Sequence, residues 1–191
     1  MPAMYRRAAV RWAVQGIGRV SHGRSLLVVL ALTLSSCGLQ EDLSQRATDP
    51  GLVSPTAAPA LAGTALIGPA LDIHSWRGHP VLIDWWASWC GPCRAEQPQL
   101  NALYRKFSPR GVRFMGVDFR DNTDAGKAFI SEFRVPYPSI FDADEATTGP
   151  WQVDAPPTLV IVDGTGNIRA RFLGTLVGID SLLTQLLNSR A

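Results

Sequence analysis

The feature that most constrains this chain is a cysteine pair, Cys90 and Cys93, placed between an apolar run and an amphipathic pattern. The apolar run, Val81–Trp86, is typical of a strand buried on both faces of a sheet. After the pair, apolar residues recur at helical spacing, which predicts a helix over residues 93–107. The cysteines should therefore lie in a strand-to-helix turn, with Cys90 at the N-terminus of the helix.

The spacing of the two cysteines suits redox chemistry. Two intervening residues let the sulfur atoms meet in a disulfide, and the helix dipole with its free N–H groups stabilises a thiolate on Cys90. We therefore expect Cys90 to attack and Cys93 to resolve the resulting mixed disulfide. So short a loop restrains little of the unfolded chain, so a stapling role is a poor explanation for the pair.

A structural zinc site is the alternative use of such a pair, and it needs two further ligands. After Cys37 the sequence offers only His74 and His79, and it has no second cysteine pair. A metal-binding or metallochaperone module is thus a minor alternative, which predicts histidine near the cysteines in space. Otherwise we expect no metal, and no cofactor beyond the redox-active disulfide.

The N-terminal residues have the pattern of an export signal. A basic stretch without acids is followed by an apolar run over residues 26–34 and then by Ser35, Ser36 and Cys37. The run is shorter than the ~20 residues of a membrane-spanning helix. Residues 34–37 resemble a bacterial lipobox, so we expect residues 1–36 to be a lipoprotein-type signal peptide and Cys37 to be lipidated. An ordinary signal anchor with an incidental cysteine is the alternative.

Charge and cysteine count change once this signal is set apart. Five of the 18 Lys and Arg residues precede Cys37 and none of the 16 Asp and Glu residues do, which leaves 13 basic and 16 acidic residues from Cys37 onward. This balance gives no basic patch of the kind that binds nucleic acid. Three cysteines are an odd number for an exported chain. Lipid on Cys37 would leave Cys90 and Cys93 as the one pair.

Composition divides the rest of the chain into a linker and a domain. Residues 37–63 are rich in Ala, Pro, Ser, Thr and Gly without periodicity, which predicts a flexible tether. Residues 64–191 predict one α/β domain with a mixed sheet. Its predicted elements are strands over 64–67, 70–74, 81–86, 112–118, 139–141, 158–162 and 168–172, and helices over 93–107, 123–133, 144–151 and 179–187.

The run from Val81 to Pro98, with Trp89-Cys90-Gly91-Pro92-Cys93 at its centre, resembles the active-site segment of the thioredoxin superfamily. It is most similar to the TlpA/ResA branch of exported, membrane-tethered thiol-disulfide oxidoreductases, and the likeness continues through residues 110–117, 156–158 and 164–167. The resemblance implies a thioredoxin-like three-layer sandwich with a central mixed β-sheet. The long segment between residues 118 and 152 fits the extra helix and strand that this branch inserts.

The resemblance also implies roles for individual residues. Pro157 matches the cis-proline that packs beside the disulfide and docks the substrate backbone, although a trans proline at the start of a strand is the alternative. Trp89, Pro92 and Pro156 would complete that docking surface.

Two acids are the other candidates for catalytic roles. Asp84 interrupts the apolar strand, where burial should raise its pKa, and the match to the buried acid of thioredoxin implies a proton relay to Cys93. The alternative is an acid that reaches solvent at a strand edge. Glu96 follows Cys93 by three positions, where the branch often has an acid that tunes the thiols. It could equally be a solvated glutamate on a helix face.

The expected activity is thiol-disulfide exchange outside the cytoplasm, with reduction as the preferred direction. Gly-Pro between the cysteines resembles the reducing thioredoxins, with potentials of about −270 mV against about −120 mV for strong oxidants. The resemblance implies apocytochrome c or other exported disulfides as substrates, with electrons from a membrane-embedded partner. The alternative is an oxidase for secreted proteins, which an oxidising compartment favours. A peroxidase is disfavoured because its isolated Thr-x-x-Cys setting is missing around Cys90.

Overall fold

The structure, a computed structural model, describes residues 51–189, so the predicted signal peptide (1–36), Cys37 and residues 37–50 of the predicted tether lie outside the described residues. The strands are β1 (Leu52–Ala57), β2 (Ala62–Gly63), β3 (Leu71–Asp72), β4 (Val81–Trp86), β5 (Arg113–Phe119), β6 (Ser139–Asp142), β7 (Thr158–Val162) and β8 (Asn167–Leu173). The helices are α1 (Gly91–Phe107), α2 (Thr123–Phe133), α3 (Thr148–Trp151) and α4 (Ile179–Asn188), with short 3-10 turns at Ile73–Trp76 and Ser108–Arg110.

A mixed sheet lies at the centre of the fold, with the strand order β1-β8-β7-β4-β5-β6. β4 runs parallel to β5 and β5 to β6, whereas the pairs β4–β7, β7–β8 and β8–β1 are antiparallel. β2 and β3 form a separate antiparallel pair. α2 and β6 follow β5, and β6 pairs with β5 at the edge of the sheet. They correspond to the extra helix and strand predicted between residues 118 and 152.

The sheet separates two apolar layers. One lies between the sheet and helices α1, α2 and α4 and also contains both cysteines. The other includes Leu61, Ile73 and Trp151 of α3. Helices on one face and α3 with the chain before β4 on the other give three layers, which confirms the predicted fold class.

All six residues of β4 are buried, as its uninterrupted apolar run predicts for a strand covered on both faces. Leu82 and Trp86 pack in the layer that contains the cysteines, whereas Ile83 and Trp85 pack in the opposite layer. Because side chains alternate along a strand, Asp84 faces the same layer as Leu82 and Trp86. The one acid of the strand is therefore directed into the layer that holds Cys93.

The predicted tether is wrong in its second half. Residues 52–57 form the edge strand β1, which pairs with β8, and Leu61 is only 1% exposed. All six residues of β1 are exposed, so the strand has no apolar alternation by which it could be recognised. It is held through its backbone, for example by the Arg171 N–H bonded to the Gly51 carbonyl at 2.8 Å. The domain therefore includes residues 51–63 rather than starting at residue 64.

Three short predicted elements also differ. Residues 64–67 do not form a strand, and only Ala65 makes a bridge, to Ile140. The strand predicted over residues 70–74 is limited to β3, because the Asp72 carboxylate accepts the His74 N–H at 2.8 Å and caps a 3-10 turn instead. The helix predicted over 144–151 is limited to α3.

Candidate active site

Cys90 and Cys93 form a disulfide in the turn between β4 and α1, with their Cα atoms 5.3 Å apart. Cys90 is the N-cap of α1, and its Sγ accepts a hydrogen bond from the Cys93 N–H at 3.1 Å. This bond would stabilise a thiolate on Cys90, together with the positive end of the helix dipole. The predicted position of Cys90 at a helix N-terminus is thus confirmed, although α1 begins at Gly91 rather than at Cys93.

Exposed residues surround the pair on the outer surface. Trp89, immediately before Cys90, is 57% exposed, and Gly91 and Pro92 are exposed as well. The Pro156–Pro157 bond is cis, so the predicted isomer is confirmed and the trans alternative is wrong. Thr158 lies opposite Trp85 in the register of β4 and β7, which places Pro156 and Pro157 beside the end of β4 that leads to the disulfide.

Asp84 is 1% exposed, so the alternative of an acid that reaches solvent is wrong. Its Oδ2 accepts a hydrogen bond from the Tyr137 hydroxyl at 3.0 Å, whereas its Oδ1 has no partner among the described residues. Burial and, secondarily, the negative charge of Glu96 raise the pKa of Asp84 to about 8, against the opposing effect of the Tyr137 hydrogen bond. A carboxyl with this pKa can both hold and release a proton near neutral pH.

Glu96 is half-buried on α1, and its Oε1 is buried without a hydrogen-bond partner among the described residues. Burial raises its pKa to about 7. A freely solvated glutamate would have an ordinary pKa, so that alternative does not describe this side chain. Because Glu96 also raises the pKa of Asp84, ionisation of one carboxyl disfavours ionisation of the other.

A buried chain of hydrogen bonds leads away from Asp84 and was not predicted. Gln97 Nε2 donates to the Tyr137 oxygen at 2.9 Å and lies 2.9 Å from Asn101 Oδ1. Asn101 Nδ2 in turn donates to the Phe133 carbonyl at 2.8 Å. Gln97 lies one helical turn after Cys93 on α1 and faces the core. A polar residue at a core-facing helix position is the one sequence signal that points to this chain of hydrogen bonds. Nothing local points to Tyr137, which is 53 positions from Asp84 in the chain.

The two histidines considered as metal ligands lie at the other end of β4. His79 precedes that strand and its Nδ1 is 2.9 Å from the Gly111 carbonyl oxygen, whereas the cysteines follow the strand. Six strand residues at ~3.3 Å each separate the two ends by ~20 Å. The histidine neighbour expected for a metallochaperone is thus not beside the pair. Among residues 51–189, no three His, Cys, Asp or Glu side chains group to hold a metal ion.

Fold and site together define a thiol-disulfide oxidoreductase of thioredoxin-like fold, with Cys90 and Cys93 as its redox pair. The chain belongs to the Redoxin family, which its residues 53–186 match.

Named relatives agree with this class. The chain is 28% identical over 117 residues to the thiol-disulfide oxidoreductase ResA of Bacillus thuringiensis, which covers 61% of this chain and 68% of the relative. It is 37% identical over 101 residues to the thiol:disulfide interchange protein DsbE of Escherichia coli, 52% of each chain. The solved thioredoxin domain of a thiol-disulfide oxidoreductase from Bacteroides vulgatus matches with a TM-score of 0.64 and 25% identity, over 71% of this chain and 99% of that chain.

Proposed function

We propose that this protein is an extracytoplasmic protein-disulfide reductase. The observation that carries the direction is the pair of carboxyls, Asp84 and Glu96, on the elements that flank the disulfide. Whenever either carboxyl is ionised, its negative charge disfavours a thiolate on the cysteines, and strong oxidants are proteins whose reduced form is stabilised. An acidic surrounding therefore supports a low reduction potential.

The nearest cation in the sequence does not offset this charge. Arg94 follows Cys93 directly, but its Nη2 pairs with Glu132 Oε1 at 2.5 Å and its guanidinium lies over the Phe133 ring, 4.8 Å from the centroid. Thiolate stabilisation is left to the N-terminus of α1, which acts on Cys90 through the Cys93 N–H. Cys90 is thus suited to attack without being held permanently as a thiolate.

The reaction starts from the reduced pair. The Cys90 thiolate attacks one sulfur of a substrate disulfide, that S–S bond breaks, and the departing substrate sulfur takes up a proton. Cys93 then loses its proton to the Asp84 carboxylate and attacks Cys90 Sγ. The Cys90–Cys93 disulfide forms and the second substrate thiol is released. Two electrons pass from the protein to the substrate, so a dithiol donor must reduce the pair again.

The proton path uses both acids. Asp84 faces the layer of Cys93 and is fully buried, whereas Glu96 lies half-buried on α1. With pKa values of about 8 and about 7, the two carboxyls hold and exchange protons in the range where thiol exchange proceeds. Glu96 connects the buried acid to solvent, and Asp84 serves Cys93.

Substrate would dock on the rim around the pair, where Trp89 and Pro92 are exposed and Pro156 and Pro157 are partly exposed. The resemblance to the TlpA/ResA branch supports exported protein disulfides, including the haem-site cysteines of apocytochrome c. A signal peptide over residues 1–36 and lipid on Cys37 would hold the domain at the membrane, where a membrane-embedded partner supplies electrons. Among residues 51–189 no helix has the length and apolarity needed to cross a membrane.

The experiment uses a peptide with an intramolecular disulfide in the Cys-x-x-Cys-His pattern of c-type haem attachment. Reduced protein is mixed with the oxidised peptide, and peptide thiols are counted over time, with Cys90→Ser as the control. We expect one peptide disulfide to be reduced per protein molecule and none by the control. If oxidised protein instead closes the reduced peptide while reduced protein leaves the disulfide intact, the protein is an oxidase and the proposal is wrong.

A further inference from the structure

A second buried acid lies near the disulfide and has no part in the reaction described above. Asp118, near the end of β5, is 0% exposed, and no donor group among the described residues gives a hydrogen bond to either of its carboxyl oxygens. In the parallel register Asp118 lies opposite Trp86, the last residue of β4. It is therefore at the edge of the sheet from which the chain continues to Trp89 and Cys90.

The surroundings of Asp118 are closely packed. Its strand neighbours are Trp86 on β4 and Phe141 on β6. On the helix side, a Cβ at Gly126 of α2 would collide with Oδ2 of Asp118 and crowd the Leu66 side chain. Only glycine lets the helix approach the carboxyl this closely, which explains why the group has no access to water.

The charged groups on the neighbouring elements are engaged elsewhere, with one exception. On β6, Asp142 accepts the N–H groups of Ala146 and Thr147. In the loop after β5, Arg120 Nε pairs with Glu145 Oε1 at 2.8 Å. The first turns of α2 carry two charged residues, Asp124 and Lys127, and both are exposed. β4 contributes the neutral Trp86 and, two residues earlier on the same face, Asp84, whose carboxyl receives the Tyr137 hydroxyl. The exception is Asp121, whose carboxylate interacts with Asp118.

Asp121 connects this buried acid to the active-site turn. Its Oδ2 accepts the Ser88 N–H at 2.6 Å and its Oδ1 accepts the Asn122 N–H at 2.8 Å. Ser88 directly precedes Trp89, the exposed residue at the rim of the disulfide.

Trp89 is held by the same loop. Its Nε1 donates to the Arg120 carbonyl at 3.0 Å, and its ring centroid lies 6.4 Å from that of Phe119. The loop after β5 thus holds the backbone before Trp89 and the Trp89 side chain at once.

We propose that Asp118 is a positioning residue that, when protonated, donates a hydrogen bond to Asp121, keeps that carboxylate on the Ser88 N–H, and so holds Trp89 in the orientation that docks substrate. The docking role of Trp89 rests on the proposed function. An ionised Asp118 would place a second negative charge, buried and without a cation, against Asp121. The loop would then move away, and Trp89 with it.

The pH dependence follows from the burial of Asp118, which, with the nearby Asp121 charge, raises its pKa to about 8. The proton is held below this pH and lost above it, so docking should weaken as the pH rises through about 8. The effect should fall on the first step, mixed-disulfide formation, because that is the step in which substrate docks on Trp89.

Two measurements test the proposal, the first by NMR on the oxidised protein between about pH 6 and about pH 10. The Ser88 amide and Trp89 indole signals should move together with a midpoint near 8, and equally so in Asp84→Asn. In Asp118→Asn the movement should vanish, because the amide donates to Asp121 at every pH. Asp121→Asn removes the other charge of the Asp118–Asp121 pair, so the movement should vanish in this variant as well. Movement that persists in both variants would overturn the proposal.

The second measurement is the rate of mixed-disulfide formation with the oxidised peptide, in a Cys93→Ser background. The ratio of the Asp118→Asn rate to the parent rate should be near one at low pH and rise several-fold above about pH 8. A ratio that is constant with pH would overturn the positioning role while leaving the reductase intact. If no mixed disulfide forms at any pH, the proposed function itself fails.

Discussion

The Tyr137 hydroxyl donates to Oδ2 of Asp84 at 3.0 Å, and among the described residues this is the only hydrogen bond that the Asp84 carboxyl receives. The bond joins two groups that are both fully buried, and burial holds the pKa of Tyr137 well above its usual range, so the phenol remains a donor. Tyr137 therefore occupies one oxygen of the acid and leaves Oδ1 without a partner among the described residues, as the proposed proton exchange with Cys93 requires.

Replacing Tyr137 by phenylalanine should move the resolving step to higher pH. The hydroxyl stabilises the ionised carboxylate, so its loss raises the pKa of Asp84 further, by roughly one unit. The measurement is the pH profile of Cys93 attack on a preformed mixed disulfide. Tyr104→Phe is the matched control, because Tyr104 packs beside Tyr137, with ring centroids 6.2 Å apart, and has no hydrogen bond to Asp84. An unchanged profile in Tyr137→Phe would contradict this role.

Asp84→Asn should slow resolution more than initial attack. The amide cannot take the Cys93 proton, whereas Cys90 draws its thiolate stabilisation from the N-terminus of α1. Stopped-flow mixing with a disulfide peptide should show the mixed disulfide accumulating, with roughly tenfold or greater slowing of its decay. Equal slowing of formation and decay would remove the proton-relay role.

The same substitution should stabilise the oxidised protein at neutral and higher pH. The pKa of Asp84 rises from 3.8 to about 8 on folding, so the folded state binds the proton more tightly and stability falls as the pH rises between these values. At pH 8, Asp84→Asn should raise the free energy of unfolding by on the order of 3 kcal/mol. Urea denaturation at pH 5 and pH 8 measures this difference. A variant that is equally less stable at both pH values would contradict the energetic cost of ionising this buried carboxyl.

Glu96→Gln should make the pair a stronger oxidant. Removing this charge removes one source of thiolate destabilisation, and the lower pKa of Asp84 that follows offsets only part of the gain. Equilibration with glutathione should give a potential more positive by on the order of 20 mV. Asp124→Asn is the control, because that acid is exposed on α2 and its loss leaves the Arg94–Glu132 pair intact. A similar change in both variants would mean that the charge acts only through the general field of the domain.

Gly126→Ala should destabilise the domain even though alanine favours helices. The added Cβ collides with the Asp118 carboxyl, which is enclosed and cannot move into solvent. Alanine normally stabilises a helix interior by about 0.5–1 kcal/mol relative to glycine, and here the substitution should instead lower the free energy of unfolding. Gly149→Ala on α3 is the control, because a Cβ there meets nothing within 4 Å. Thermal unfolding of both variants tests whether the Asp118 carboxyl is tightly enclosed, and similar melting temperatures for the two variants would argue against it.

The sequence pattern predicts best those secondary-structure elements whose residues are buried without interruption along the chain. β4 was predicted with its observed bounds because every one of its residues is buried, and the turn with Cys90 and Cys93 follows from it. The sequence pattern does not predict β1, because its side chains are all exposed and its pairing is made by the backbone.

The partners of the buried acids could not be predicted from local pattern. Asp84 stands out in sequence as an acid in an apolar run, but Tyr137 reaches it only through the folding of α2 and β6 onto the sheet. In the sequence, Asp118 is the last residue of an ordinary predicted strand. Its significance depends on the approach of Gly126 and Asp121, which are contacts made after the strand ends.

The equilibrium reduction potential of the Cys90–Cys93 pair tests the proposed direction most directly. The oxidised protein is equilibrated with glutathione and thioredoxin-like standards, and the fraction of reduced pair is measured by thiol trapping. We expect a potential near or below about −230 mV, as a reductase fed with electrons requires. A potential between about −180 and about −120 mV would contradict the reductase and make the pair a disulfide donor.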